Sequence, residues 1–161
     1  MDQMTARPSS LGLILLMGIQ AAGKTTFRRN AFSFPHALIS LDEIGTGKEA
    51  REKEAKLLGE AFAASRTIVV DNTNPTRADR ARYIEPAKAS GYRVVGYYLA
   101  SDLKDCIARN AERSAAERVP EVAIRSTIKK LERPTWEEGY DELYYVRIDR
   151  KGGFAIQPYR E

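Results

Sequence analysis

Apolar positions in this chain fall in short continuous blocks separated by charged, alanine-rich stretches. Leu11 to Met17 is such a block, the pattern of a strand buried on both faces of a parallel sheet. A glycine-bounded loop, Gly18 to Gly23, follows it, and a helix opens at Lys24 and runs to about Asn30. Ala37 to Ser40 is a second short apolar run. Gly47 to Arg66 predicts a long helix with Leu58, Ala61, Phe62 and Ser65 on one face. Thr67 to Asp71 predicts a third strand, ending in a carboxylate. Thr76 and Asp79 have capping-box spacing and open a helix to about Ser90, which Gly91 ends. Tyr92 to Leu99 is a fourth strand. Ser101 or Asp102 caps a further helix through about Ser114. Pro120 opens the next, with Ile124, Ile128 and Leu131 in phase, and Pro134 stops it. Leu143 to Ile148 predicts a fifth strand, and Phe154 to Tyr159 is either an edge strand or a tail.

Strands that alternate with helices imply an α/β fold, a mainly parallel sheet covered on both faces. The 161 residues suit a single domain, 1–161, with Met1 to Ser10 expected to fray. Lys and Arg number 26 against 22 Asp and Glu, a net charge of +4. That excess is compatible with a polyanionic ligand and equally with a mildly basic solvated surface. A single cysteine, Cys106, excludes an internal disulfide and fits a reducing, cytoplasmic setting. No signal peptide is visible, and Leu11 to Met17 is too short to span a membrane.

The candidate chemistry begins at Gly18-Ile19-Gln20-Ala21-Ala22-Gly23-Lys24-Thr25, which matches G-x-x-x-x-G-K-[ST] without a gap. A phosphate chain needs several backbone N–H groups aimed into one concavity. Glycine lets the chain curl that tightly, and the following helix presents its positive end there. Lys24 supplies a point charge for the β- and γ-phosphates, and the Thr25 hydroxyl is placed to ligate Mg²⁺. Asp71, at a strand end, is suited to holding Mg²⁺ through water or orienting Thr25; a turn cap shared with Asn72 is the alternative. Asp42 and Glu43 are candidate proton acceptors for a hydroxyl, with an N-cap role as the alternative for Asp42. Arg109 and Arg113, four apart, share a helix face, either as a solvated basic surface or as arginines reaching over a transferring phosphate.

Several segments together resemble the kinase domain of the 5′-hydroxyl polynucleotide kinase family. They are Gly18 to Thr26, Val70-Asp71-Asn72-Thr73-Asn74-Pro75, Arg80 to Tyr83, Arg109-Asn110-Ala111-Glu112-Arg113, Val119-Pro120, Ile124 to Ser126, and Leu131 to Thr135 with Glu138-Gly139. The likeness is intermittent over about residues 12–148. It implies a P-loop kinase: a five-stranded, mainly parallel sheet with a helical lid over residues 109–133. It implies that Lys24 and Thr25 bind phosphate and Mg²⁺ with help from Thr26, and that Asp42 is the general base. Asp71 would face the nucleotide and acceptor, and Asn72, Thr73, Asn74 and Arg80 would lie on the acceptor side. Arg113 would act as the lid arginine, with Arg109 near the nucleotide. One departure stands out. Many members carry an arginine beside or shortly after the base-like Asp, and here Leu41, Ile44 and Gly45 occupy those positions.

The expected activity is transfer of the ATP γ-phosphate to a hydroxyl, with the 5′-end of DNA or RNA as the first acceptor. A small-molecule or nucleotide-sugar hydroxyl is the alternative acceptor, and a nucleotide-dependent binding module without transfer is the alternative class.

Overall fold

A computed structural model describes residues 12–161 and, at Asp42 and Glu43, the backbone alone. Met1 to Ser10 and Leu11, the first residue of the predicted first strand, lie outside the described residues. Strand β1 is Gly12–Met17 and is buried along its whole length. Helix α1 (Lys24–Ala31), strand β2 (Ala37–Ile39), a single turn α2 (Leu41–Ile44) and helix α3 (Lys48–Ala63) follow. Then come β3 (Ile68–Asp71), α4 (Arg77–Ala89), β4 (Arg93–Leu99), α5 (Leu103–Ala111), α6 (Glu121–Lys130), a 3₁₀ turn (Trp136–Glu138), β5 (Glu142–Ile148) and β6 (Phe154–Pro158).

The sheet order is β2-β3-β1-β4-β5-β6. The first five strands are parallel, and β6 returns antiparallel beside β5, so the last apolar run is an edge strand. Helices cover both faces, which is why the central strands are continuously apolar. Leu13, Leu15 and Met17 pack with Leu58, Tyr83 and Ile84 of α3 and α4. Ile14 and Leu16, pointing the other way, pack with Phe27, Cys106 and Ile124 of α1, α5 and α6. Each such fully buried side chain contributes about 1.5–3 kcal/mol relative to exposure.

Local chemistry explains most helix boundaries. Thr76 and Asp79 form both halves of the capping box. Asp102 rather than Ser101 caps α5, accepting the Asp105 N–H at 2.9 Å. Two expectations need correction. Helix α3 stops at Ala63, and Ser65 lies beyond it with a positive φ of 52°, so Ser65 is not on the packed face. Glu54 is, at 2% exposure. The turn α2 was not anticipated, because four residues carry no helical period.

This topology fixes where a ligand goes. Strands β1, β2, β3 and β4 all end on one side, and the chain leaves β1 towards β2 but later returns to β4 on β1's opposite flank. Ligands bind at such a reversal, outside the carboxyl ends of the strands.

Candidate active site

The loop after β1 is held from both neighbouring strands. Gly18 N–H donates to the Thr73 carbonyl at 3.0 Å and Ile19 N–H to Ser101 Oγ at 3.1 Å. Ala21 and Gly23 have φ of 66° and 99°, left-handed turns that curl successive amides inward. At Gly23 a Cβ would also meet Ile148 Cδ1 at 3.2 Å, so glycine serves both the turn and the close approach of the β5–β6 hairpin. Lys24 Nζ lies 2.8 Å from the carbonyls of Gly18 and Ile19, folded over the loop's own mouth. Helix α1 has no side-chain N-cap and no acidic residue in its first turn, so its leading N–H groups are left for an anion. Gln20 Nε2 donates to Thr127 Oγ1 on α6 at 3.0 Å, tying the loop to the lid segment.

Asp71 is in register with Leu16, one residue before the end of β1. Thr25 Oγ1 donates to its Oδ2 at 3.1 Å, and Arg28 Nε reaches the same oxygen at 2.9 Å. The first two are the pair expected to hold Mg²⁺. Arg28 is an addition from the structure; its i, i+3 spacing from Thr25 puts it on the same face of α1. Among the described residues no three His, Cys, Asp or Glu gather as a metal cluster. Two hard oxygens beside a phosphate loop still fit Mg²⁺, which takes one or two protein ligands and fills its shell with phosphate and water.

The segment after Asp71 is architectural in most of its parts. Asn74 is buried and its amide donates to the Leu16 carbonyl at 2.7 Å. Arg80, expected on the acceptor side, has no exposed surface. Its Nε and Nη2 pair with the Glu138 carboxylate at 2.7 and 3.1 Å, and Nη1 donates to the carbonyls of Asn74, Pro75 and Glu132. Arg80 and the Asn74 side chain therefore hold this turn together from inside and have no donor to offer a substrate. Thr73 contributes its carbonyl to Gly18, and Asn72 Oδ1 accepts the Leu41 N–H at 2.8 Å. The backbone of Asp42 lies next along, in α2; its side chain is outside the described residues.

A cleft of about 200 Å³ opens beside the loop, lined by Ala21, Gly23 and Thr26, by Arg109 and Arg113, and by Ile148, Gly152 and Phe154. It is smaller than the ~300–1,000 Å³ of whole small-molecule sites, a size for one part of a ligand. Arg109 Nε donates to the Ala21 carbonyl at 2.7 Å. The structure thus brings both expected arginines to the cleft beside the phosphate loop, but not from one helix face: α5 ends at Ala111 rather than near Ser114, so Arg109 comes from the helix and Arg113 from the turn beyond it. The hairpin wall was missed. Its signal was two β-runs flanking Asp149-Arg150-Lys151-Gly152-Gly153, a turn composition that sets Ile148 opposite Phe154. Cys106 packs in the core beneath α5, and burial pushes its thiol up, against the opposing pull of Arg109.

Comparison with known proteins agrees with this geometry. The AAA domain family model AAA_33 matches residues 13–134, which include the loop, Asp71, both arginines and α6. An L-seryl-tRNA(Sec) kinase of Methanococcus maripaludis is 28% identical over 145 residues, covering 80% of this chain and 56% of its own length. A bifunctional polynucleotide phosphatase/kinase of Schizosaccharomyces pombe is 26% identical over 138 residues, covering 83% and 33%. The chain thus spans about half and one third of these two relatives. Among solved structures, Chaetomium thermophilum Kti12 in complex with ADP-AlF3 superposes with a TM-score of 0.65 at 16% identity, covering 87% of this chain and 92% of that one. With a phosphate loop after β1, a carboxylate at the end of β3 and the family match running through both, the chain belongs to the AAA_33 family and has the α/β P-loop kinase fold.

Proposed function

We propose that this domain transfers the γ-phosphate of ATP to a hydroxyl, with the 5′-hydroxyl end of DNA or RNA as the acceptor. The observation that carries the reading is the convergence of Lys24, Thr25 and Asp71 at the head of α1, beside a cleft lined by Arg109 and Arg113. In this reading the loop amides and Lys24 hold the β- and γ-phosphates, and Thr25 and Asp71 hold Mg²⁺. The ion, when bound, supplies charge neutralisation on the phosphate oxygens. Arg113 neutralises the transferring group, and Arg109 lies along the nucleotide. Asp42 accepts the proton of the acceptor hydroxyl as its oxygen bonds to the γ-phosphorus. The bond to the β–γ bridging oxygen breaks, and ADP leaves.

The name of one relative describes a polynucleotide phosphatase/kinase, which supports the first reading; that of the other describes a kinase of L-seryl-tRNA(Sec), an acceptor other than a free 5′-end. A small-molecule or nucleotide-sugar hydroxyl is the second reading, favoured by Leu41, Ile44 and Gly45 where an acceptor-binding arginine is expected.

The test is label transfer from [γ-³²P]ATP with Mg²⁺ to a 5′-hydroxyl oligonucleotide, run beside a panel of small hydroxyl compounds. Label on the oligonucleotide supports the first reading, and label only on a small compound supports the second. Asp42→Asn is expected to lower kcat by roughly 10²–10⁴-fold, the range for a positioned base, with ATP affinity kept. Lys24→Ala is expected to lose both affinity and rate. Full activity in Asp42→Asn would remove that residue from the role.

A further inference from the structure

The turn α2 cannot hold itself in place. Four residues lie far below the length at which a helix is stable alone, and Ser40 at its N-cap provides no side-chain hydrogen bond. Beyond its other end, Gly45 and Gly47 have φ of 105° and 93°, and nothing lies within 4 Å of where their Cβ atoms would be. Among the described residues, the side chain that hydrogen-bonds its backbone comes from outside: Asn72 Oδ1, accepting the Leu41 N–H at 2.8 Å.

That amide is itself oriented by a chain of buried groups. Asn72 Nδ2 donates to the Tyr83 hydroxyl oxygen at 3.1 Å. The Tyr83 O–H donates to Glu54 Oε2 at 2.9 Å, and Arg82 Nη2 donates to Glu54 Oε1 at 2.7 Å. With Arg82 on its other oxygen, the Glu54 carboxylate accepts the hydrogen bond from the Tyr83 hydroxyl, which leaves the Tyr83 oxygen's lone pairs towards Asn72. Only the NH₂ end of the amide can face those lone pairs, and its oxygen must then face Leu41. Glu54 and Tyr83 are each 2% exposed. Burying a carboxylate is costly unless it is paired and hydrogen-bonded, and an apolar pair would tie α3 to α4 without that cost. The link such a tie would not need is the one to Leu41, the residue before Asp42.

We infer that Glu54, Tyr83 and Asn72 form a positioning relay that holds α2, and with it the backbone of Asp42, beside the strand end that carries Asp71. The relay's catalytic consequence rests on the kinase reading, through the role given there to Asp42; the tether of α2 does not. Because Asn72 directly follows Asp71, one turn of chain sets the position of the metal-side carboxylate and of the acceptor-side base together.

The test compares the intact chain with Tyr83→Phe, Asn72→Ala and Glu54→Gln by two measurements. In hydrogen exchange, Tyr83→Phe and Asn72→Ala are expected to speed exchange over residues 41–44 by about tenfold, the loss of one hydrogen bond to a buried network, with the phosphate loop unchanged. Phosphate transfer to a 5′-hydroxyl oligonucleotide is expected to lose roughly ten- to a hundredfold in kcat, the effect of a displaced reacting group, while the Kd of a fluorescent ADP analogue is kept. Glu54→Gln leaves one side-chain oxygen for two donors, Tyr83 and Arg82, and is expected to speed exchange over 41–44 less than Tyr83→Phe does, with the phosphate loop unchanged, which a general loss of stability would not allow. If Tyr83→Phe does not fold, Asn72→Ala removes the bond to Leu41 directly and leaves the buried Tyr83–Glu54 bond in place. Unchanged exchange over 41–44, or faster exchange with unchanged kcat, overturns the relay. An intact chain that transfers phosphate to no hydroxyl overturns the kinase reading instead, and the exchange measurement then decides the tether alone.

Discussion

Arg80 carries a full charge with no exposed surface, and its hydrogen-bond partners among the described residues all lie inside the protein. Replacing it by Ala would strand the Glu138 carboxylate and three carbonyls. Breaking a buried pair from one side costs about 3–5 kcal/mol, and for a domain of this size that lowers Tm by roughly 10 °C. Calorimetry of Arg80→Ala beside Arg77→Ala, an exposed neighbour on the same helix, checks this; equal melting temperatures would contradict it. At this scale the sequence showed which residue types were present and misassigned what some of them do. The resemblance of its motif puts Arg80 on the acceptor side, whereas the structure buries it against Glu138. Its partner Glu138 is 58 positions away, and no local pattern distinguishes an arginine that faces a ligand from one that faces the core.

Between α5 and α6 the chain turns through residues 112–120, and a side-chain clasp closes the turn. Asn110, buried, donates from Nδ2 to the Val119 carbonyl at 2.7 Å and accepts the Val119 N–H at 3.0 Å. Arg118 reaches back to the carbonyls of Arg113 and Ala111. Arg113 is therefore presented by a fastened loop. Asn110→Ala removes both bonds, each worth about 0.5–1.5 kcal/mol net. Faster exchange over 112–119 and a several-fold weaker ATP affinity by titration calorimetry are expected. An affinity equal to that of the intact chain would separate the lid's fastening from nucleotide binding. The elements themselves were largely legible: Asp102, the Thr76–Asp79 box and Pro120 mark helix starts by local chemistry. The turn α2 was not legible, because its anchor is the distant Asn72 rather than any cap of its own.

For the whole molecule, the candidate site draws on the loop after β1, the end of β3, helices α1 and α5, and the β5–β6 hairpin. A ligand touching all of these ties together segments from both ends of the chain, and it does so only in the folded state. ATP at a hundred times its Kd should stabilise the fold by about 2.7 kcal/mol, raising Tm by roughly 5–10 °C. The shift should vanish in Lys24→Ala. Thermal scans with and without MgATP measure it, and no shift in the intact chain at saturating nucleotide would argue against the site. Among the described residues no helix is long and apolar enough to cross a membrane.

What the sequence determined by itself was the phosphate loop, the alternation of strands and helices, and most helix ends. Each of these is set by residues within one turn or one strand of each other, where backbone geometry and hydrogen bonding act locally. The tertiary structure decided the rest. It placed Arg28 on Asp71, brought Ile148 and Phe154 to the loop, buried Arg80 on Glu138, and hung α2 on Asn72. Those pairings join residues far apart in sequence, and only the order of strands in the sheet says which distant segments meet.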